Sequence, residues 1–434
     1  MCARDSFIQL LKDNRAGKGT GIYSICSAHA TVLEACMEQA TADGSMLLIE
    51  STSNQVDQFG GYTGMKPADF VAYVKKIADK CNFPMDKVLL GGDHLGPNAW
   101  QNESAEVAMK HSRDLIAEYV KAGYQKIHLD ASMHCADDLG DRHTPLADEI
   151  VASRAAELCQ VAELTWKEFC SDRPAPVYII GTEVPIPGGA QEEEDEVKPT
   201  SVSDSQRTIR ITHQSFLDLG LEEAWTRVLG LVVQPGVEFG DDQVFDYDRS
   251  KAVELSQAIE GIDGLVYEAH STDYQSEKAL TEMVKDHFCI LKVGPWVTFA
   301  YREALFALEA MEKELISEES QRSNLLQTME QVMTKNPKYW QKYYPENPEF
   351  KRKYSFSDRS RYYWPDKEIE IAKEKLISNL EKNPIPLSLL SQYLPGQYHS
   401  VREKGLEICP LTLIKDHIRD VIGMYSRACN LKAS

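Results

Sequence analysis

Three features of the sequence predict an α/β chain built as a (β/α)8 barrel with a mostly helical C-terminal extension. Eight apolar runs alternate with amphipathic, helix-like segments over the first ~310 residues, and such barrels occupy ~250 residues or more. The runs are continuously apolar, as parallel strands covered on both faces must be. No GxGxxG turn follows the first run, although a doubly wound dinucleotide-binding sheet would favour one there. GKGTG at residues 17–21 precedes that run, and Gly19 follows Lys18 where a phosphate-binding P-loop needs Ser or Thr.

The elements follow in order. GIYSICSAH (21–29) is the first strand region, and ATVLEACMEQATAD its helix, closed by Gly44. MLLIEST (46–52) leads through a glycine-rich loop, QFGGYTGM, to the helical ADFVAYVKKIADKC. VLLGGDH (88–94) precedes a helix that stops at Gly123, a C-cap glycine. KIHLDAS (126–132) precedes ADEIVASRAAELCQVAELTWKEF. VYIIGTEVP (177–185) is followed by GGAQEEEDEVKPTSVSDSQ, whose acidic, polar character predicts an exposed loop. VLGLVVQPG (228–236), LVYEAHST (265–272) and ILKVGPW (290–296) complete the eight strands, and REALFALEAMEKELI closes the barrel. The predicted division is residues 1–315 for the barrel and 316–434 for a helical, aromatic-rich extension.

The bulk composition narrows the function classes. A formal net charge of −20 argues against nucleic acid or an anionic membrane as partner, since both require a basic surface. An anionic sugar phosphate stays compatible through a local positive pocket. Ten cysteines are scattered without a CxxC pair, so neither a zinc ribbon nor a redox motif is signalled. The first residues, MCARDSFIQLLKDN, lack the long apolar core of a secretory signal. No run approaches the roughly 20 apolar residues of a membrane helix. The expected compartment is the cytoplasm.

Active sites of such barrels lie at the C-terminal ends of the strands. Those ends carry Glu50, Asp93 with His94, Asp130, Glu183, Gln234, His270 and Lys292. His94 and His270 end buried runs beside turn residues, and Glu183, between IIGT and VPIPGG, needs a cation or donor if buried. These three form the expected metal-ligand set, since two imidazoles and a carboxylate suit a divalent metal with open positions, zinc being the expected ion. Asp93, Asp130 and Glu183 are the expected catalytic acids, with Asp93 placed for proton transfer at a substrate hydroxyl. Glu50, Gln234, Ser271, Thr272, Lys292 and Gly294 are the expected substrate or phosphate contacts, because the loops after strands seven and eight usually seat phosphate. Lys292 could equally be tied to strand-end acids. His128, His134 and His213 carry weaker claims, and His128 is expected to point away if Asp130 faces the pocket.

GGDHLGP, IIGTEVPIPGG, YEAHSTDYQ and ILKVGPWVTFAYREALF together resemble the non-catalytic subunit family of class II D-tagatose-1,6-bisphosphate aldolase (GatZ/KbaZ-like), some members of which were once labelled tagatose-6-phosphate kinase. The likeness runs through nearly the whole chain. A further likeness to catalytic class II aldolases implies that Asp93 acts in proton transfer and His94 as zinc ligand. It extends more loosely to His270-Ser271 and to Leu291–Gly294. It departs at Gly181-Thr182-Glu183-Val184, where those enzymes place His after Gly-Thr-Ala; Glu183 could be the ligand instead.

Two functions of different class follow. The resemblance implies an accessory subunit that stabilises a separate catalytic class II aldolase and supports its full activity, with a ketohexose or its phosphate as ligand and a homo-oligomer as an open possibility. The alternative is a stand-alone metal-dependent 4-epimerase or aldolase on ketohexoses or their phosphates, since retro-aldol cleavage, rotation and re-addition invert C4. A kinase is disfavoured, because neither a Walker A nor a protein-kinase pattern is present.

Overall fold

A computed structural model describes residues 2–142, 144–181 and 197–431. Eight parallel strands close a barrel: β1 (Ile22–Ile25), β2 (Leu47–Thr52), β3 (Val88–Leu95), β4 (Lys126–Leu129), β5 (Val177–Ile180), β6 (Val228–Val233), β7 (Val266–Ala269) and β8 (Phe288–Val293). Each pairs with its neighbour in sequence. The last returns to the first, with Ile22 opposite Ile290 and Ile25 opposite Val293. The predicted (β/α)8 barrel is thus present.

Helix ends follow the sequence signals. Gly44 (φ 70°) and Gly123 (φ 99°) adopt the left-handed conformation after helices Ala30–Asp43 and Ala105–Ala122, a geometry that costs glycine least. One expectation is corrected. Of the polar run at 188–206, residues 188–196 lie outside the described residues, but helix Val202–Asp218 begins within it. Ser201 Oγ accepts the Asp204 N–H at 3.1 Å, a capping arrangement that SVSD makes readable locally. Elements not anticipated include helix Ala3–Arg15 and a short antiparallel hairpin of Glu238–Phe239 and Val244–Phe245.

Because strand side chains alternate between faces, every second residue enters the barrel, and these inward residues change character along its axis. At the N-terminal end Ile22, Leu48, Leu89, Val177, Val266 and Ile290 form an apolar plug with Phe7 and Leu11 of helix Ala3–Arg15. One step further up stand Ser24, Glu50, Lys126, Glu268 and Lys292, all buried. Above them, at the mouth, come Asp93, His128 and His270. The polar centre therefore rests on a dry floor.

Residues beyond 315 pack directly on the barrel. Helix Pro410–Ala428 lies against helices Ala30–Asp43, Glu277–Lys285 and Pro295–Leu315. Tyr425 donates its hydroxyl to the Thr272 carbonyl at 2.7 Å, and Ser426 donates to Asp43 at 2.6 Å. Among the described residues no helix is long and apolar enough to cross a membrane.

Candidate functional site

The segment GGDHLGP is shaped by close approach. Gly91 lets the Glu50 side chain cross it: a Cβ there would sit 2.7 Å from Glu50 Cγ. At Gly96 a Cβ would sit 1.7 Å from the Asp130 carbonyl oxygen, so only glycine lets β3 pass the end of β4. Between them His94 takes φ 48°, and the β3–β4 register shifts between Gly92 and Leu95. Adjacent strand residues ordinarily face opposite sides. This turn brings Asp93 and His94 to the same cavity, at a strain of about 1–3 kcal/mol for a non-glycine residue. Ser271, after His270, takes φ 51° at the other side of the mouth.

Below the mouth lies an ion network whose members are all buried. Lys126 Nζ is 2.7 Å from Glu50 Oε1 and 2.7 Å from Glu268 Oε2, ion pairs by distance that lack hydrogen-bond geometry. Lys292 bonds to Glu50 and stands 2.9 Å from Asp93 Oδ1 and 3.4 Å from Glu268 Oε1. Ser24 Oγ donates to Glu50 at 2.8 Å. Burial opposes the Lys292 charge, yet Asp93, Glu268 and Glu50 hold its pKa well above the ordinary value. Burial also pushes Glu268 up, and Lys126 and Lys292 override it, holding the carboxyl well below its usual range.

Above this network, Asp93 Oδ1 lies 2.9 Å from His128 Nδ1, and His270 Nε2 lies 3.1 Å from Glu268 Oε1. One ligand atom from each of Asp93, His128, Glu268 and His270 falls within 4.8 Å of all the others, so this buried group could hold a metal ion. The local chemistry fits such an ion. His128 Nε2 is 2.9 Å from the Gly181 carbonyl and must carry the proton to bond to it. With that proton on Nε2, the Nδ1 lone pair accepts the His94 backbone N–H at 3.2 Å and abuts the Asp93 carboxylate oxygen, a crowding of acceptors that a bound cation would relieve. Mixed imidazole and carboxylate donors suit zinc or a similar transition ion. Burial lowers the His270 pKa to about 4, so that imidazole is neutral and available as a ligand.

His94 forms a second unit. Its Nδ1 is 2.7 Å from Asp130 Oδ2, and Ser132 donates to Asp130 Oδ1 at 2.7 Å. Burial disfavours the imidazolium, but Asp93 and Asp130 outweigh it and raise the His94 pKa above its ordinary 6.5. Burial likewise pushes Asp93 up, and His94, Lys292 and the His128 bond carry it well below the ordinary value. Asp130 is lowered by its His94 and Ser132 bonds against burial. The four carboxylates Glu50, Asp93, Asp130 and Glu268 thus face two ammonium groups and one imidazole drawn toward its charged form. One negative charge is left over, which favours a further cation.

The structure places the sequence candidates unevenly. Asp93, His94, His270, Ser271, Lys292 and Gly294 line one cavity of ≈ 920 Å³ at the barrel mouth. Asp130 reaches it through His94. Glu50 lies beneath, fully buried and engaged by Ser24, Lys126 and Lys292. Gln234 folds back to accept the Gly236 and Val237 N–H groups at 2.8 Å each. Thr272 Oγ1 donates to the Lys292 carbonyl at 2.6 Å. Glu183 lies outside the described residues. His134 contacts the Thr144 carbonyl, and His213 stacks on Trp225 at 4.4 Å.

His128 is a correction. It points into the centre, because residues 126, 128 and 130 alternate and so share one face of the chain with Asp130. The same spacing would have found Lys126 and Glu268, which the strand-end reading missed. The cationic wall of Lys338, Lys342, Arg359 and Arg361 carries no local signal of its place at the mouth.

The fold and this centre define a (β/α)8 barrel protein with a buried, ionised cluster on its C-terminal face, in a cavity partly walled by its own C-terminal residues. The chain belongs to the D-tagatose-1,6-bisphosphate aldolase subunit GatZ/KbaZ-like family, whose model matches residues 7–430. The resemblance read from GGDHLGP, YEAHSTDYQ and their companions is borne out. A probable tagatose 6 phosphate kinase from Sinorhizobium meliloti 1021 has a crystal structure similar to this one. The two share 44% identity and a TM-score of 0.86, over 94% of this chain and 100% of that one. Fainter likenesses, at 11% and 13% identity with TM-scores of 0.39 and 0.43, are to the YdjI aldolase from Escherichia coli K12 and a fructose-bisphosphate aldolase from Campylobacter jejuni. They span 87% and 86% of this chain, and 96% and 91% of those.

Proposed function

We propose that this chain is a subunit of a class II D-tagatose-1,6-bisphosphate aldolase, supporting the stability and full activity of a separate catalytic subunit. Family membership over residues 7–430 supports that reading. A second reading is favoured by one observation, the buried group of Asp93, His128, Glu268 and His270 inside a cavity. It holds that the mouth binds a ketohexose or its phosphate and performs metal-dependent aldol or 4-epimerase chemistry itself. A centre that costs this much charge burial is more than a structural subunit requires.

In the second reading Asp93, His128, Glu268 and His270 would hold the divalent ion, zinc by donor type, with His94 and Glu183 as further candidates. Such an ion would polarise a ketose carbonyl. The residues of the chain do the rest. His94, drawn toward its imidazolium and oriented by Asp130, gives and takes back a proton at a substrate oxygen beside it. Asp93, held as a carboxylate, stabilises that imidazolium. Lys292 ties Glu50, Asp93 and Glu268 together and fixes them in place.

The test is to incubate the zinc-supplemented chain with tagatose 1,6-bisphosphate, tagatose and fructose, alone and with a class II aldolase catalytic subunit, and to follow products by NMR. Trioses or a C4 epimer from the chain alone, lost on chelation, establish the second reading. No turnover alone, with enhancement of the added aldolase, establishes the first. No turnover by the chain alone and no enhancement of the added aldolase would sink both readings.

A further inference from the structure

The usual phosphate seat of a (β/α)8 barrel lies between the loops after strands seven and eight, at a helix N-terminus. Here the protein fills that seat with an anion of its own. Asp273 is buried and accepts the N–H of Gly294 at 3.0 Å and of Trp296 at 2.8 Å, at the start of helix Pro295–Leu315. Burial pushes its carboxyl up to about 6 against the pull of those N–H groups, so it is largely ionised at neutral pH. A phosphate arriving there would meet a carboxylate in place of free N–H donors.

The wall of the same cavity contributed by C-terminal residues has the opposite sign, and its Arg361 is near enough to draw the Asp273 carboxyl down. Lys338, Lys342, Arg359 and Arg361 all line it, in a chain whose formal net charge is −20. The arginines are set in place. The Arg359 guanidinium lies 3.3 Å from the centre of the Tyr343 ring, and its Nη2 donates to Ser357 Oγ at 3.3 Å. Arg361 lies over Tyr362 and donates to its hydroxyl at 3.0 Å. The two lysines are exposed and free to swing, Lys338 leaning over Tyr339. Four cations, three of them over aromatic faces, in a cavity that also holds the ionised centre, make a local field that concentrates anions.

We propose that Lys338, Lys342, Arg359 and Arg361 form the anion site of the mouth and take the phosphate of a phosphorylated ketohexose, the conventional seat being filled by Asp273. The substrate class rests on the reading that the mouth binds a ketohexose or its phosphate; the anion site itself does not. The sugar then lies between the ionised centre and this wall. A bisphosphate is preferred over the free sugar because one end reaches the cations.

The test uses the full chain and two probes, inorganic phosphate followed by 31P line broadening and tagatose 1,6-bisphosphate against tagatose by calorimetry. The variant is Lys338→Gln with Lys342→Gln, both at exposed positions where folding is unaffected. A charge-matched control is Lys75→Gln with Lys278→Gln, exposed on outer helices. The expected result is phosphate and bisphosphate binding weakened at least ~10-fold by the first pair and not by the control, with tagatose binding unchanged. No phosphate binding by the unaltered chain, equal weakening by both pairs, or weakening by neither overturns the proposal. Phosphate held at this wall with no sugar bound would uphold the anion site and overturn the ketohexose reading instead.

Discussion

Replacing Lys126 with Met removes the ammonium that stands 2.7 Å from both Glu50 and Glu268 at a point with no solvent exposure. The methionine fills nearly the same volume, so the loss is electrostatic. Breaking a buried ion pair by deleting one partner costs about 3–5 kcal/mol, because the remaining charge is left uncompensated. Lys292 still contacts both acids, which argues for the lower half of that range. With an unfolding entropy of about 2.1 cal/mol/K per residue, a 434-residue chain loses roughly 1 °C of melting temperature per kcal/mol. The expected drop at neutral pH is therefore about 3–4 °C by differential scanning fluorimetry. The pH dependence has a definite sign. Glu268 is held below its ordinary 4.5 in the folded chain. Its contribution is thus present above that value and lost as pH falls through the lowered folded pKa. Lys126 is the largest lowering influence on it, so Lys126→Met should move the acid-unfolding midpoint upward. Adding Glu268→Gln should recover part of the loss. A Lys126→Met chain that melts within a degree of the unaltered protein, with an unchanged acid midpoint, would show that this lysine does not compensate the two acids.

Gly96→Ala should destabilise the chain by at least about 3 kcal/mol, since its Cβ would overlap the Asp130 carbonyl oxygen; an unchanged urea midpoint would contradict the close approach of β3 to β4. His270→Ala should lower zinc retention after dialysis by more than the roughly 10–100-fold that a supporting residue is worth, with the circular dichroism spectrum preserved; full zinc occupancy would remove His270 from the ligand set. In the metal-free chain, Asp130→Asn should shift the His94 imidazole titration to lower pH by NMR, because a bond that raises its pKa is lost; an unmoved titration would mean that the 2.7 Å contact does not set the His94 proton affinity.

The sequence by itself determined what is local. Continuous apolar runs of strand length between amphipathic segments specified the parallel barrel, because strands buried on both faces and helices buried on one leave different periodicities. Gly44 and Gly123 marked helix ends through the left-handed conformation they alone adopt cheaply. Asp93, His94 and His270 were legible because a charged residue at the end of a buried run needs a reason to be there.

Closure of the barrel decided the rest. Lys126 and Glu268 lie 142 positions apart in the chain and meet only because strands four and seven face each other across the interior. Their two-residue spacing from His128 and His270 named the shared face, but not which charges would meet. Asp273 became the helix-capping anion only once the β7 loop was set beside Gly294. The cations at 338, 342, 359 and 361 reached the mouth only because the C-terminal helices fold back over the barrel. Alternation and capping are written within a few residues, whereas the pairing of charges across a closed sheet depends on register and long-range packing, which no short stretch contains.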